Sequence, residues 1–319
     1  MAAAVQTIAP AHVPVMLAAV LDQLAPRDGE AFIDATFGAG GYTRAILEAA
    51  GTRVLAIDRD PSALRAGAAL AEAFAGRLSL REGRFSDMQA LARDAGFEQI
   101  DGVVLDIGVS SMQIDEPSRG FSFLRDGPLD MRMDPAHGAS AADFVAHADQ
   151  RELQQVIAEL GEERFARRIA QAIVTARAVA PITRTLQLAE IVRRAVRTRD
   201  GKHPATRTFQ ALRMHVNDEL GQLRAALEAA YAVLAPGGRL AVISFHSLED
   251  RIVKHFIRAR TQVDPAFAGL PVVPPAALPT MREVGRKRRA TEAEIARNPR
   301  ARSAVLRCAE RLPPPGAAA

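Results

Sequence analysis

The apolar run Ala31–Phe37 leads directly into Gly38-Ala39-Gly40-Gly41-Tyr42-Thr43, a glycine-rich turn followed by a helix-like stretch. Such a turn places backbone amides at a helix N-terminus, where a ligand can approach without meeting side chains. Further short apolar runs, Arg53–Asp58, Arg77–Arg81 and Ile100–Asp106, alternate with Ala/Leu-rich intervals long enough to be crossover helices. This pattern predicts a parallel α/β sheet. After Asp106 the alternation stops: residues 151–180 and 185–197 read as helical, with Leu153, Val156, Ile157 and Leu160 on one face. A strand pattern returns at Arg239–Ser244, after Pro236-Gly237-Gly238 signals a helix stop and a turn. The expectation is a sheet domain in two parts, 1–114 and 216–319, interrupted by an inserted helical domain at 115–215 that serves substrate recognition.

With 319 residues, 48% hydrophobic and 24% charged, the chain can bury a large core without covalent staples, and two units suit its length. The only cysteine, Cys308, excludes an intrachain disulfide framework or a cysteine-held cluster and fits a reducing cytoplasm. Seven histidines (12, 137, 147, 203, 215, 246, 255) lack a metal-ligand spacing, so no metal is expected. Pro10 and Pro14, without a basic segment before them, argue against a signal peptide. Residues 265–281 hold five prolines and read as a linker or surface loop, not a membrane helix.

The net charge of +4 hides a local excess: residues 281–307 carry nine basic side chains against three glutamates, leaving −2 for the rest. A second cluster comprises Arg193, Arg194, Arg197, Arg199, Lys202, Arg207 and Arg213. Each is either a contact to a polyanion such as nucleic acid or a solvated face.

Asp58 closes the second strand, where a carboxylate accepts both hydroxyl hydrogens of a ribose at roughly 1.5–3 kcal/mol per charge-assisted bond. Thr43 occupies the place of the third glycine of a dinucleotide fingerprint, and no phosphate-loop motif occurs. An adenosine-type ligand is therefore expected. Ser244, His246 and Asp250 lack a nucleophile elbow and do not make a hydrolase. For His246, positioning of RNA and a hydrogen-bonded structural role both remain open. Met131 and Met133 read as packing residues.

The stretches His12–Val15, Asp34–Tyr42, Asp106–Gln113, Arg119–Phe123, Asp126–Asp134, His203–Gln210 and Ser244–Asp250 occur in one order along the chain. Through them, from His12 to about Arg311, the sequence resembles the bacterial small-subunit ribosomal RNA cytosine-N(4) methyltransferases of the RsmH/MraW type. The resemblance implies a Rossmann-like fold with S-adenosylmethionine as cofactor. Its substrate would be a cytidine in the decoding centre of 16S ribosomal RNA, within the small subunit and away from any membrane. Monomer and homodimer both remain open. Matching motif positions gives Gly40, Gly41, Tyr42, Asp58, Phe85, Asp106 and Gln113 as cofactor contacts. At Tyr42 only the backbone contact carries over.

Cytosine's amino nitrogen donates its lone pair into the ring, so catalysis needs acceptors that hold the NH₂ and favour a tetrahedral nitrogen. Other amino methyltransferases place Asp/Asn-Pro-Pro-aromatic after the fourth strand, whereas this chain has Asp106-Ile107-Gly108-Val109. Asp106 is thus the candidate catalytic acceptor, with contact to the cofactor's methionine end as the alternative. Val109 cannot stack on a base, which leaves Phe121 or Phe123 as the candidate platform. Rival readings are a DNA amino methyltransferase, a ribosomal RNA-binding assembly factor without turnover, and a nicotinamide oxidoreductase.

Overall fold

The computed structural model describes residues 14–196, 203–267 and 269–314. His12 and Val13, the basic residues Arg197, Arg199 and Lys202, and the chain end from 315 onward lie outside them. The chain divides into two compact units, Met1–Ile107 with Leu223–Ala319, and Gly108–Gln222. The transitions fall at 107/108 and 222/223, where the sequence pattern had placed them at 114/115 and 215/216.

The first unit is built on a sheet of β1 (Ala31–Asp34), β2 (Arg53–Asp58), β3 (Leu78–Glu82), β4 (Ile100–Asp106), β5 (Leu234–Ser244), β6 (Met281–Glu283), β7 (Arg288–Arg289) and β8 (Val305–Arg311). The strand order is β3-β2-β1-β4-β5-β8-β6, with β7 also paired to β8. β1 to β5 run parallel, and β8 is antiparallel to β5. Alternate residues serve opposite faces: Ile33, Leu55, Ile57, Val103 and Leu105 enter one core, and Phe32, Val54, Ala56 and Val104 the other. Burial on both faces explains why these strands read as continuous apolar runs. The chain leaves β1 towards β2 on one side and pairs β4 on the other, a topological switch point, where such sheets bind ligands beyond their C-terminal ends.

Two parts of this sheet differ from the sequence expectation. β5 starts at Leu234 and not at Arg239, because Pro236-Gly237 forms an irregularity within the strand, with Gly237 at φ 86°. β6, β7 and β8 lie where the sequence showed only a basic segment. In β8, Arg307 and Glu310 interrupt the apolar pattern, yet each is neutralised in place. Arg307 Nε is 2.7 Å from Asp250, and Glu310 takes Arg239 at 3.2 Å and Arg282 at 2.7 Å. Segment 265–281 is irregular among its described residues up to Thr280, with short turns at Pro265–Phe267 and Pro275–Ala277, and Met281 begins β6.

The second unit is helical: Ser111–Asp115, Ala141–His147, Gln150–Glu159, Ala166–Arg177, Thr185–Ala195 and Thr206–Val216. Leu153, Val156 and Ile157 pack with Ile169, Ile173, Leu188, Val192 and Leu212 in its core. The expected helical stretch 151–180 is two helices. Glu162 breaks it at φ 48°, and a Cβ on Gly161 would stand 2.6 Å from the Arg207 and Ile157 carbonyl oxygens. Asn217 secures the loop that buries Met131 and Met133, donating to the Met131 carbonyl at 2.7 Å and accepting the Met133 amide at 2.8 Å. Asn217→Ala orphans both backbone groups, each worth about 1–3 kcal/mol when buried. A urea titration of the full chain is expected to show that loss, and unchanged stability would refute it.

Candidate active site

Three carboxylates end three adjacent parallel strands: Asp34 on β1, Asp58 on β2 and Asp106 on β4. Asp34 is fully buried and clamps the glycine-rich turn. Its Oδ1 accepts the Thr36 amide at 3.2 Å, and its Oδ2 accepts the Thr43 amide at 3.1 Å and hydroxyl at 2.7 Å. Burial pushes this carboxyl up to about 6, against the hydrogen bonds from Thr43 and Thr36. The clamp joins the end of β1 to the first turn of helix Gly41–Ala49.

The turn is shaped by packing as well as by φ. Gly40 sits at φ 76°, and a Cβ there would lie 2.8 Å from the Phe37 ring; on Gly41 it would lie 2.1 Å from Pro14 Cγ. Two amides of the turn are used internally: Gly38 donates to Asp58 Oδ2 at 2.8 Å and Gly40 to the Phe37 carbonyl at 2.7 Å. Asp58 Oδ1 accepts the Asp60 amide at 2.8 Å. Each of its oxygens retains a second lone pair, enough for two ribose hydroxyls. Burial raises the Asp58 carboxyl above its ordinary value. Phe85, in the turn Phe85–Asp87 after β3, packs half-buried near this end of the sheet, where the Gly83 amide donates to the Asp58 carbonyl at 3.0 Å.

Asp106 closes the arrangement. Its amide donates to Thr36 Oγ1 at 2.8 Å, and its Oδ2 is 3.2 Å from the Tyr42 hydroxyl. Its Oδ1 is buried and has no hydrogen-bond partner among the described residues. Burial pushes this carboxyl up to about 7, and the negative charges of Asp34 and Glu249 push in the same direction. Sequence reasoning missed Thr36, Thr43, the Tyr42 hydroxyl and the Val15 carbonyl it meets at 2.6 Å. Asp34 and Thr43 were legible as polar residues at the two ends of the glycine turn.

Gln113 belongs to the helical unit. There it completes a capping box, its Oε1 accepting the Ser110 amide at 3.0 Å. Phe123 is stacked on His203 at 4.6 Å and meets Phe209 edge-on at 4.9 Å, so one face of its ring is covered. Arg119 sits over the Phe121 ring at 5.8 Å. His246 caps helix Ser247–Thr261, its Nδ1 accepting the Leu248 amide at 3.4 Å, which supports the structural reading. Ser244 donates to the Val305 carbonyl at 3.5 Å and Asp250 binds Arg307, so no triad forms.

The basic clusters are less bare than the sequence count implies. Arg193 and Arg194 both bind Glu190, Arg207 lies 3.6 Å from Glu163, and Arg213 binds Glu219 at 2.7 Å. Arg286, Lys287, Arg288 and Arg289 are all exposed, and Arg288 binds Asp22 at 2.7 Å. Among the described residues no group of three His, Cys, Asp or Glu side chains is placed to hold a metal, and no helix is long and apolar enough to cross a membrane.

A switch-point sheet with a clamped glycine turn, a carboxylate ending β2 and an unsatisfied carboxyl oxygen on β4 has the form of a nucleotide-type ligand site, to which the family resemblance adds S-adenosylmethionine as the ligand of a Rossmann-like methyltransferase. The residues fit that cofactor, since each oxygen of the Asp58 carboxyl accepts one backbone amide and keeps a lone pair for a ribose hydroxyl. The chain belongs to the MraW methylase family, which it matches over residues 9–312. The ribosomal RNA small subunit methyltransferase H of Azorhizobium caulinodans is 59% identical over 308 residues, covering 95% of this chain and 88% of its own length. Its namesake from Parvibaculum lavamentivorans is 57% identical over 314 residues, covering 97% and 92%. Among solved structures, a putative methyltransferase from Streptococcus mutans in complex with SAH covers 94% of this chain and 99% of its own, a loose likeness at 13% identity and TM-score 0.44.

Proposed function

We propose that this protein methylates the N(4) amine of a cytidine in the decoding centre of 16S ribosomal RNA, acting in the cytoplasm on the small ribosomal subunit. The buried, unsatisfied Asp106 Oδ1 beside the clamped turn carries the reading, together with the relatives' shared name. Bound S-adenosylmethionine supplies a methyl group activated by its sulfonium.

Asp58 binds the ribose hydroxyls, Phe85 flanks the adenine, and the backbone of Gly40, Gly41 and Tyr42 faces the methionine end. Gln113 remains a cofactor contact on the resemblance alone. Asp106 Oδ1 accepts a hydrogen from the cytosine amine, which turns the nitrogen lone pair out of conjugation with the ring. The helical unit contributes to substrate recognition.

The sheet register supports a phosphate contact close to this chemistry. Asp106 pairs with Ile243, Ile243 with Leu306, and Leu306 with Arg288, so the four residues form one row across β4, β5, β8 and β7. Three strand spacings put the backbone of Arg288 about 14 Å from that of Asp106. Neutralising Arg286, Lys287 and Arg289 together is expected to reduce the salt slope of RNA binding by up to about 2, at 0.7 per single-strand phosphate. An unchanged slope removes the segment from the footprint.

The decisive experiment is transfer of labelled methyl to small subunits, naked ribosomal RNA and DNA in parallel, followed by nucleoside analysis. N(4)-methylcytidine from subunits is the expected product. Label in DNA alone would establish the DNA enzyme instead, and cofactor binding without transfer would establish an assembly factor.

A further inference from the structure

Tyr42 has one phenolic hydrogen and two oxygen neighbours. Its hydroxyl oxygen lies 2.6 Å from the Val15 carbonyl oxygen and 3.2 Å from Asp106 Oδ2. With the hydrogen in the shorter contact, the longer one joins lone pairs to lone pairs unless Asp106 supplies a hydrogen of its own. Tyr42 is 4% exposed, in an apolar cluster with Val15, Met16 and Ile46.

Among the described residues, the charged and titratable groups that act on the pair are acidic. Asp34 on β1 faces both residues, Glu249 on helix Ser247–Thr261 faces Asp106, and Glu294 on helix Glu292–Arg297 faces Tyr42. Every one of them disfavours a negative charge on Asp106 or Tyr42.

We infer that Tyr42 is a positioning residue: in the cofactor-free protein Asp106 is a neutral acid that donates from Oδ2 to the Tyr42 oxygen, which donates in turn to the Val15 carbonyl. This relay fixes the carboxyl rotamer and leaves the buried Oδ1 as the unsatisfied acceptor of the site. The upward shift of both groups by burial agrees with it. The inference rests on the proposed cofactor for one consequence. A cation brought beside Asp106 favours its ionised form, and the proton leaves Oδ2 for bulk water while the phenolic hydrogen remains between the two oxygens.

Two measurements on the full chain test the relay. Carbon-13 NMR of the aspartate carboxyls in the cofactor-free protein, assigned with Asp106→Asn, should show Asp106 titrating near neutrality. Tyr42→Phe should move that midpoint down by about one unit, because the neutral acid loses its acceptor. Calorimetry of S-adenosylmethionine binding at about pH 6, in buffers of different ionisation enthalpy, should show nearly one proton released by wild type. Asp106→Asn should release none. A wild-type Asp106 that titrates in the ordinary carboxylate range, or a midpoint that rises in Tyr42→Phe, overturns the relay. The wild-type titration decides even where Tyr42→Phe fails to fold. Failure of wild type to bind the cofactor would overturn the functional reading instead, with the carboxyl titration still deciding the relay.

Discussion

Asp106→Asn is expected to lower turnover at saturating cofactor more than a hundredfold, with a smaller, roughly tenfold loss of cofactor affinity near pH 6 that follows from the proton wild type releases on binding. Asparagine keeps the shape of the side chain, an acceptor at Oδ1 and, through its amide hydrogens, a donor towards Tyr42. It removes the charge that builds the strong acceptor at the cytosine amine. A hundredfold corresponds to about 2.7 kcal/mol of transition-state stabilisation, within the range of one preorganised electrostatic contact. Single-turnover methyl transfer at saturating cofactor separates the two quantities. Lost binding with normal turnover at saturation would place Asp106 on the cofactor's methionine end and away from the amine. The same substitution has a pH signature in the cofactor-free protein. A carboxyl raised from 3.8 to about 7 in the folded state contributes its stability below the unfolded value and loses it as pH rises through the folded one. Wild type is therefore expected to lose stability relative to Asp106→Asn between about pH 4 and 7, as a pH series of thermal melts would show.

The second large effect is expected at Asp58. Asp58→Ala removes both ribose acceptors and the anchors of the Gly38 and Asp60 amides, and the affinity for S-adenosylmethionine should fall more than a hundredfold. Asp58→Asn keeps one acceptor oxygen and should lose roughly tenfold, since charge-assisted bonds are about twice as strong as neutral ones. Calorimetric titration gives both numbers, with circular dichroism to confirm that each variant is folded. Affinity within threefold of wild type in Asp58→Ala would exclude it from the ribose site.

The central parallel strands β1, β2 and β4 were legible because they are buried on both faces. Arg53–Asp58 and Ile100–Asp106 carry little but apolar residues and have the bounds the pattern gave. The antiparallel half was not legible. Arg307, Glu310 and Arg311 break the periodicity of β8, and their partners Asp250 and Arg239 are remote in sequence. The motif around Asp34–Thr43 announced a ligand turn, yet the direction of its amides depended on contacts from elsewhere. Pro14 closes against Gly41, and Asp58 takes the Gly38 amide. Net charge was the least informative signal, because counting cannot tell Arg288, bound to Asp22, from its neighbours.

The insertion between β4 and β5 also dictates an order of events during synthesis. The helical unit is continuous in sequence, so it can close its core as soon as its last helix leaves the ribosome. The sheet cannot. β4 waits for β5 across the whole insertion, and β5 keeps an open edge until β8, at the far end of the chain, arrives to cover it. The half-sheet of β1 to β4 thus keeps an unpaired edge beside β4, the strand that ends in Asp106, until the insertion and β5 have been made. β8 closes the β5 edge by a long-range pairing, the kind of contact that forms slowly. Truncation before Val305 should accordingly yield an aggregation-prone nascent chain and not a smaller enzyme.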